Sequence, residues 1–204
     1  MQEFTNTIEL VGRVAGEPQY SHSVYGEAFF RFLFAVRRLS GTEDRLPVTV
    51  GERLLGDMPA EIGQRFRIAG QIRSYNQRTE SGSRLIVTVF ARELELLAEN
   101  DEAEDRNEAE LTGYICKPPV YRTTPFSREI ADILLAVNRR FGKSDYLPAI
   151  AWGRNARFLS ALPVGTGLRV IGRLQSREYR KVFEDGTESI RTAYEVSCSA
   201  VEPV

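Results

Sequence analysis

Apolar and polar positions alternate with a period of two along most of this chain. In the stretch after Ser83, Val87, Val89 and Ala91 alternate with Thr88, Phe90 and Arg92, the pattern of a strand with one buried face. Similar runs predict strands over Thr7–Val14, Ala28–Arg38, Leu46–Gly51, Gln64–Tyr75 and Ser83–Leu96. Within the second of these, Phe30, Phe32 and Phe34 fall on one face and are expected in the core. Glu52–Ile62 interrupts the pattern with helix-prone residues, and Gly63 marks the return to strand.

The same order then recurs. Asn6-Thr7-Ile8-Glu9-Leu10-Val11-Gly12 matches Asn107-Glu108-Ala109-Glu110-Leu111-Thr112-Gly113 at an offset of 101 positions. That offset also maps Pro18 to Pro119, Tyr20 to Tyr121, Ala35-Val36 to Ala136-Val137 and Leu46-Pro47 to Leu147-Pro148. After one inserted residue, Gly63 maps to Gly165 and Arg67-Ile68-Ala69-Gly70 to Arg169-Val170-Ile171-Gly172. Arg154–Leu162 is the second helix-prone piece. Five strands with a helix between the third and fourth, twice over, predict an all-β chain of two tandem OB-folds, each a five-stranded Greek-key barrel. The expected domains are residues 1–98 and 107–204, joined by a solvated acidic linker over 99–106.

Charge sharpens this division. The chain of 204 residues carries a net charge of −1, distributed unevenly. Residues 1–98 hold 12 Lys/Arg against 12 Asp/Glu, residues 99–110 hold 1 against 7, and residues 111–204 hold 14 against 9. A surface for phosphates is therefore expected on the second half. No apolar run is long enough for a membrane span, and the N-terminal residues lack a basic start and apolar stretch, so the cytoplasm is the expected location. Cys116 and Cys198 lie in apolar strand patterns and are expected to be buried thiols. The single histidine, His22, the absence of metal-ligand spacing and the absence of a glycine-rich phosphate loop argue against an enzyme and against any cofactor or metal.

The second half concentrates aromatic and basic residues at predicted strand ends: Ala136-Val137-Asn138-Arg139-Arg140-Phe141, Ala149-Ile150-Ala151-Trp152-Gly153-Arg154 and Gly172-Arg173-Leu174-Gln175-Ser176-Arg177-Glu178-Tyr179. Rings interleaved with cations suit single-stranded nucleic acid, because bases stack on rings for roughly 1–3 kcal/mol each while cations follow the phosphates. These segments resemble the bacterial single-stranded DNA-binding protein family over nearly all of 107–202, and more weakly over 6–97. The resemblance implies stacking on Phe141, Tyr146, Trp152 and Tyr179, with Arg139, Arg140, Arg154, Arg173 and Arg177 as accompanying cations. Lys143, beside Tyr146, joins that set. It implies single-stranded DNA as partner, replication or recombination proteins as further partners, and assembly of four OB-folds, hence a homodimer of this chain. The first half departs from the pattern: Ser40, Arg45, Gly51 and Gln77 stand at the matching aromatic positions, leaving Tyr75 and neighbouring Arg73 as its candidates. The chain also ends without the acidic, aromatic-tipped tail through which family members recruit partners. A protein-interaction or primosome-type accessory module is the alternative function.

Overall fold

In the computed structural model, residues 6–56, 60–79, 82–98, 101–139, 142–182 and 186–204 are described. Twelve strands and two short helices follow in the order β1 (Asn6–Val14), β2 (Gln19–Val24), β3 (Glu27–Arg37), β4 (Glu43–Gly51), α1 (Glu52–Leu55), β5 (Arg65–Thr79), β6 (Gly82–Leu96), β7 (Arg106–Ile115), β8 (Val120–Thr123), β9 (Glu129–Asn138), β10 (Ser144–Trp152), α2 (Gly153–Ser160), β11 (Gly167–Val182) and β12 (Glu188–Pro203). The protein is thus mostly β. No helix among the described residues is long and apolar enough to cross a membrane.

The strands join in the order β2-β3-β4-β6-β5-β1-β7-β11-β12-β10-β9-β8, with further pairings β3–β1 and β7–β9. Each extra pairing closes one half of the sheet on itself. In the first half β1, β3, β4, β6 and β5 form a ring, and β7, β9, β10, β12 and β11 form its counterpart. The alternation follows directly: Val48, Val50, Ile68, Ile72, Val87 and Val89 point inward in the first ring, Leu135, Leu147, Ala149, Val170, Leu174 and Val196 in the second. Phe32 and Phe34 are buried as expected, whereas Phe30 packs against the core only in part.

Some elements differ from the pattern-based expectation. The hairpin strand β2 escapes it because all six of its residues are polar or exposed enough to show no buried face. Helix α1 is shorter than Glu52–Ile62, since Gly56 at φ 53 leaves the helical conformation and its N–H closes the last turn on Glu52 O. Part of that expected helix lies outside the described residues. Close approach of two strands explains Gly70 and Gly172. Each sits at a register shift, where an added Cβ would lie 2.3 Å from Phe90 O or 2.2 Å from Ser197 O.

The halves meet through β1 and β7, which pair antiparallel from Asn6↔Leu111 to Val11↔Arg106. Under the 101-residue repeat, Asn6↔Leu111 exchanges with Leu10↔Asn107, and Ile8↔Ala109 is its own mate. An internal two-fold axis therefore passes between Ile8 and Ala109. Two buried carboxylates lie in repeat-equivalent places across this seam. Asp44 accepts hydrogen bonds from Arg38 Nε (2.7 Å) and Nη2 (2.6 Å) and, from the other half, from the Ser176 backbone N–H (2.8 Å). Asp145 accepts from the Ser74 N–H of the first half (2.7 Å) and lies 3.3 Å from Arg73 Nη1 and 3.1 Å from Arg139 Nε. The serine hydroxyls complete the exchange: Ser176 Oγ accepts from Arg45 N–H and Ser74 Oγ from Tyr146 N–H. Burial pushes the Asp145 carboxyl up, against the lowering effect of the Ser74 N–H and of Arg139 and Arg73.

The segment joining the halves lies against the first of them. Arg65 donates to Asp101 O (3.1 Å), Ala103 O (2.6 Å) and Asp105 Oδ1 (3.0 Å), and the Arg37 N–H donates to Asp105 Oδ2 (2.7 Å). Glu102 and Glu104 face solvent.

Candidate nucleic-acid interface

On β10 the inward positions are Asp145, Leu147, Ala149 and Ala151, which leaves Tyr146 and Trp152 on the outer face. They are 45% and 41% exposed, far above the ordinary burial of rings this size. They are six positions apart, so they stand about 20 Å from each other along the strand. Gly153, at φ 54, turns the chain directly from Trp152 into α2 and keeps the indole at the barrel's edge.

Trp152 forms one wall of a groove of about 400 Å³, shared with Arg128, Arg173, Gln175, Ser176, Arg177 and, from the first half, Arg38. Gln175 is held by its amide donating to Glu195 Oε1 at 2.9 Å, and Arg177 Nε lies 3.3 Å from the same oxygen. Arg173 is partly buried, and its Nε has no hydrogen-bond partner. Burial lowers its pKa, and the nearby Arg38 guanidinium lowers it further. The groove thus gathers four guanidinium groups around one indole, of which Arg38 is paired with Asp44 and Arg177 with Glu195. An anion is the complementary guest.

The Arg177 guanidinium extends this surface outward. Its carbon lies 5.9 Å from the centre of the Tyr179 ring, and Tyr179 is 38% exposed on the β11–β12 arm. Trp152, Arg177 and Tyr179 therefore form a continuous alternation of ring, cation and ring. Arg154 is exposed on α2, and Lys143 is exposed at the turn before β10. Phe141 and Arg140 lie outside the described residues.

Two expected cations serve elsewhere. Arg139 and Arg73 are drawn into the seam by Asp145, and burial lowers the Arg73 pKa. Tyr75, 43% exposed, accepts a 2.6 Å hydrogen bond from Arg31 Nη2. Conversely, Arg38 and Arg128 were not expected in the groove. The repeat itself pairs Arg38 with Arg139, but only the seam shows that Arg38 reaches across to the other half. Phe158, 37% exposed on α2, is a further ring near this surface that the sequence reading did not single out.

The equivalent place in the first half is occupied differently. Gly51 stands where Trp152 does, and Glu27 where Arg128 does. A Cβ at Gly51 would lie 2.6 Å from Glu27 Oε1 and 3.4 Å from Phe29 Cε1, so a carboxylate and a ring already cover that position. The Phe29 ring stacks on His22 at 5.1 Å and meets Phe90 at 5.8 Å.

The geometry defines a protein of two joined β-barrels whose second barrel presents rings alternating with arginines. Residues 106–204 match the family model described as the single-strand binding protein family. The chain is 35% identical over 103 residues to "Single-stranded DNA-binding protein 1" of Staphylococcus aureus, an alignment covering 47% of this chain and 59% of that protein. "Single-stranded DNA-binding protein 2" of the same species matches to the same extent. The match thus spans about three fifths of these relatives' length. Both halves together share the fold of the wild-type single-stranded DNA binding protein from Thermus aquaticus, with a TM-score of 0.76 and 23% identity over 100% of this chain and 94% of that one.

Proposed function

We propose that this chain is a non-catalytic, sequence-tolerant single-stranded DNA-binding protein of replication, recombination and repair, acting in the cytoplasm. The observation that carries the reading is the groove in which Trp152 stands among Arg38, Arg128, Arg173 and Arg177. A base stacks on the indole, the strand passes along Arg177, and the next ring it meets is Tyr179. Stacking on a ring accepts any base, because every base has a flat face, and the arginines read only phosphate. The ring-closing pairings support reading residues 1–98 and 107–204 as tandem OB-folds joined by residues 99–106. A homodimer supplying four barrels extends the arrangement, since each chain already holds two related by an internal axis.

The single tryptophan makes the test direct. Trp152 fluorescence is titrated with oligo-dT at low and moderate salt. Saturable quenching that weakens with salt is the expected result. Unchanged fluorescence together with no binding in a gel-shift assay refutes the reading and turns attention to a protein-interaction module. Trp152→Ala combined with Tyr179→Ala should weaken binding by at least tenfold, from a loss of about 1–3 kcal/mol per stacked base.

A further inference from the structure

The Asp44 carboxylate lies behind the Trp152 groove and holds two of its walls at once. It lines a neighbouring cavity of about 400 Å³ that shares Arg38 and Arg173 with the groove. The Arg38 guanidinium docks on it through one edge, Nε to Oδ2 at 2.7 Å and Nη2 to Oδ1 at 2.6 Å. Such a fork fixes the guanidinium plane and uses two of its five N–H donors, so three remain for a guest. The Arg38 side chain keeps 25% of its surface exposed. Asp44 Oδ1 also accepts the Ser176 N–H at 2.8 Å, so one oxygen ties Arg38 of the first half to β11 of the second.

Electrostatics explains why a carboxylate is needed at this point. Burial and then the Arg38 charge lower the Arg173 pKa, so the two guanidiniums repel one another. Asp44 offsets that repulsion. Its hydrogen bond raises the Arg38 pKa against burial, and its charge favours the cationic form of Arg173 as well. Without Asp44, Arg38 would face a like charge on one side and be drawn into water on the other.

The repeat supplies a comparison. Asp145 holds Arg139, the equivalent of Arg38, and accepts the N–H of Ser74, the equivalent of Ser176. Around it, however, Gly51 stands in place of Trp152, Glu27 in place of Arg128 and Gln71 in place of Arg173. One carboxylate backs a basic, aromatic groove and its counterpart does not.

We propose that Asp44 is a positioning residue for nucleic-acid binding, holding Arg38 of the first half in the Trp152 groove of the second. This role rests on the function proposed above and deepens it, since the groove is then completed only across the seam. The sign of the effect separates positioning from charge. Removing a negative charge beside a phosphate site should by itself tighten binding. Losing a positioned arginine should weaken it, by about fivefold at about 0.1 M salt, from one phosphate contact at about 0.7 in log affinity per decade of salt.

The test titrates the full chain with a dT oligomer of about 10 nucleotides, read by Trp152 quenching and by gel shift, with circular dichroism confirming the fold of each variant. Asp44→Asn, which keeps an oxygen for the Ser176 N–H, should bind about fivefold more weakly, with a salt slope reduced by about 0.7. Arg38→Gln should do the same. The double variant should bind no more weakly than Arg38→Gln alone, because Asp44 acts through Arg38. Asp145→Asn opens the equivalent contact away from the groove and should bind no more weakly than wild type. Affinity of Asp44→Asn equal to or tighter than wild type overturns the proposal. Additive losses in the double variant overturn it too, as does an equal loss in Asp145→Asn, which reports only a loosened seam. Should Asp44→Asn fail to fold, Arg38→Lys decides, since it keeps the charge but not the fork: weaker binding supports the role of Asp44 and wild-type affinity refutes it. Absence of both quenching and gel shift in the wild-type protein is a different failure, that of the function itself.

Discussion

The seam between the halves sets a sharp quantitative expectation for Asp44→Ala. The Asp44 side chain is 1% exposed and accepts two hydrogen bonds from Arg38 and one from the Ser176 N–H. Removing it strips a partly buried cation of its counter-charge and leaves a backbone N–H of the other half without its acceptor. Loss of one member of a buried pair costs about 3–5 kcal/mol, of which an unanswered backbone donor accounts for roughly 1–3. The Arg38 side chain retains 25% exposure, so water recovers part of its solvation and the lower end, about 3 kcal/mol, applies. Urea unfolding followed by circular dichroism at neutral pH measures the loss. Asp44→Asn keeps an oxygen for the Ser176 N–H and should lose less. A loss below about 1 kcal/mol, the level of an exposed ion pair, refutes the view of Asp44 as the lock between halves.

Other outcomes follow from the same geometry. Gly172→Ala places a Cβ 2.2 Å from Ser197 O, backbone that cannot step aside, and should destabilise the chain by on the order of 1–3 kcal/mol in the same unfolding assay. Burial pushes the Cys198 thiol from an ordinary 9.0 up to about 12, so a thiol reagent at pH 8 should modify it only after denaturation. The sign of the linkage is also fixed: with the folded value raised, the contribution of Cys198 to stability is complete below 9.0 and fades as pH rises towards about 12, and Cys198→Ala should flatten that alkaline decline. For DNA binding, Arg128→Gln and Arg177→Gln should each reduce the slope of log affinity against log salt by about 0.7, and an unchanged slope excludes that arginine from phosphate contact.

Strand order was legible because its signals are local. Alternation at Val87, Val89 and Ala91 requires no knowledge of partners, and the 101-residue repeat fixes the second half once the first is read. The exposure of Trp152 and Tyr179 was likewise visible from their polar neighbours, whereas Tyr146 entered the set through the resemblance and lies within β10. The seam was not. Arg139 and Arg73 have the sequence surroundings of phosphate-binding cations, yet the 0%-exposed carboxylate of Asp145, packed against Ser74 from the other half, claims them both. Only three-dimensional proximity decides whether an arginine meets a carboxylate of its own protein or remains available to another anion.

The same limit explains why the first half reads as poor in aromatics. Matching position to position finds Gly51 where Trp152 stands and reports a missing ring. In space, Phe29 from the adjacent strand lies against Gly51, with His22 stacked on its far side, so the glycine makes room for a neighbour's ring. With Glu27 in place of Arg128, that corner carries a carboxylate where the second half carries a guanidinium, while Arg31 stands in place of Asp132 further along β3 and donates to Tyr75. The outward positions of the two halves have thus diverged in charge and rings while the inward-facing residues that set the fold stayed apolar.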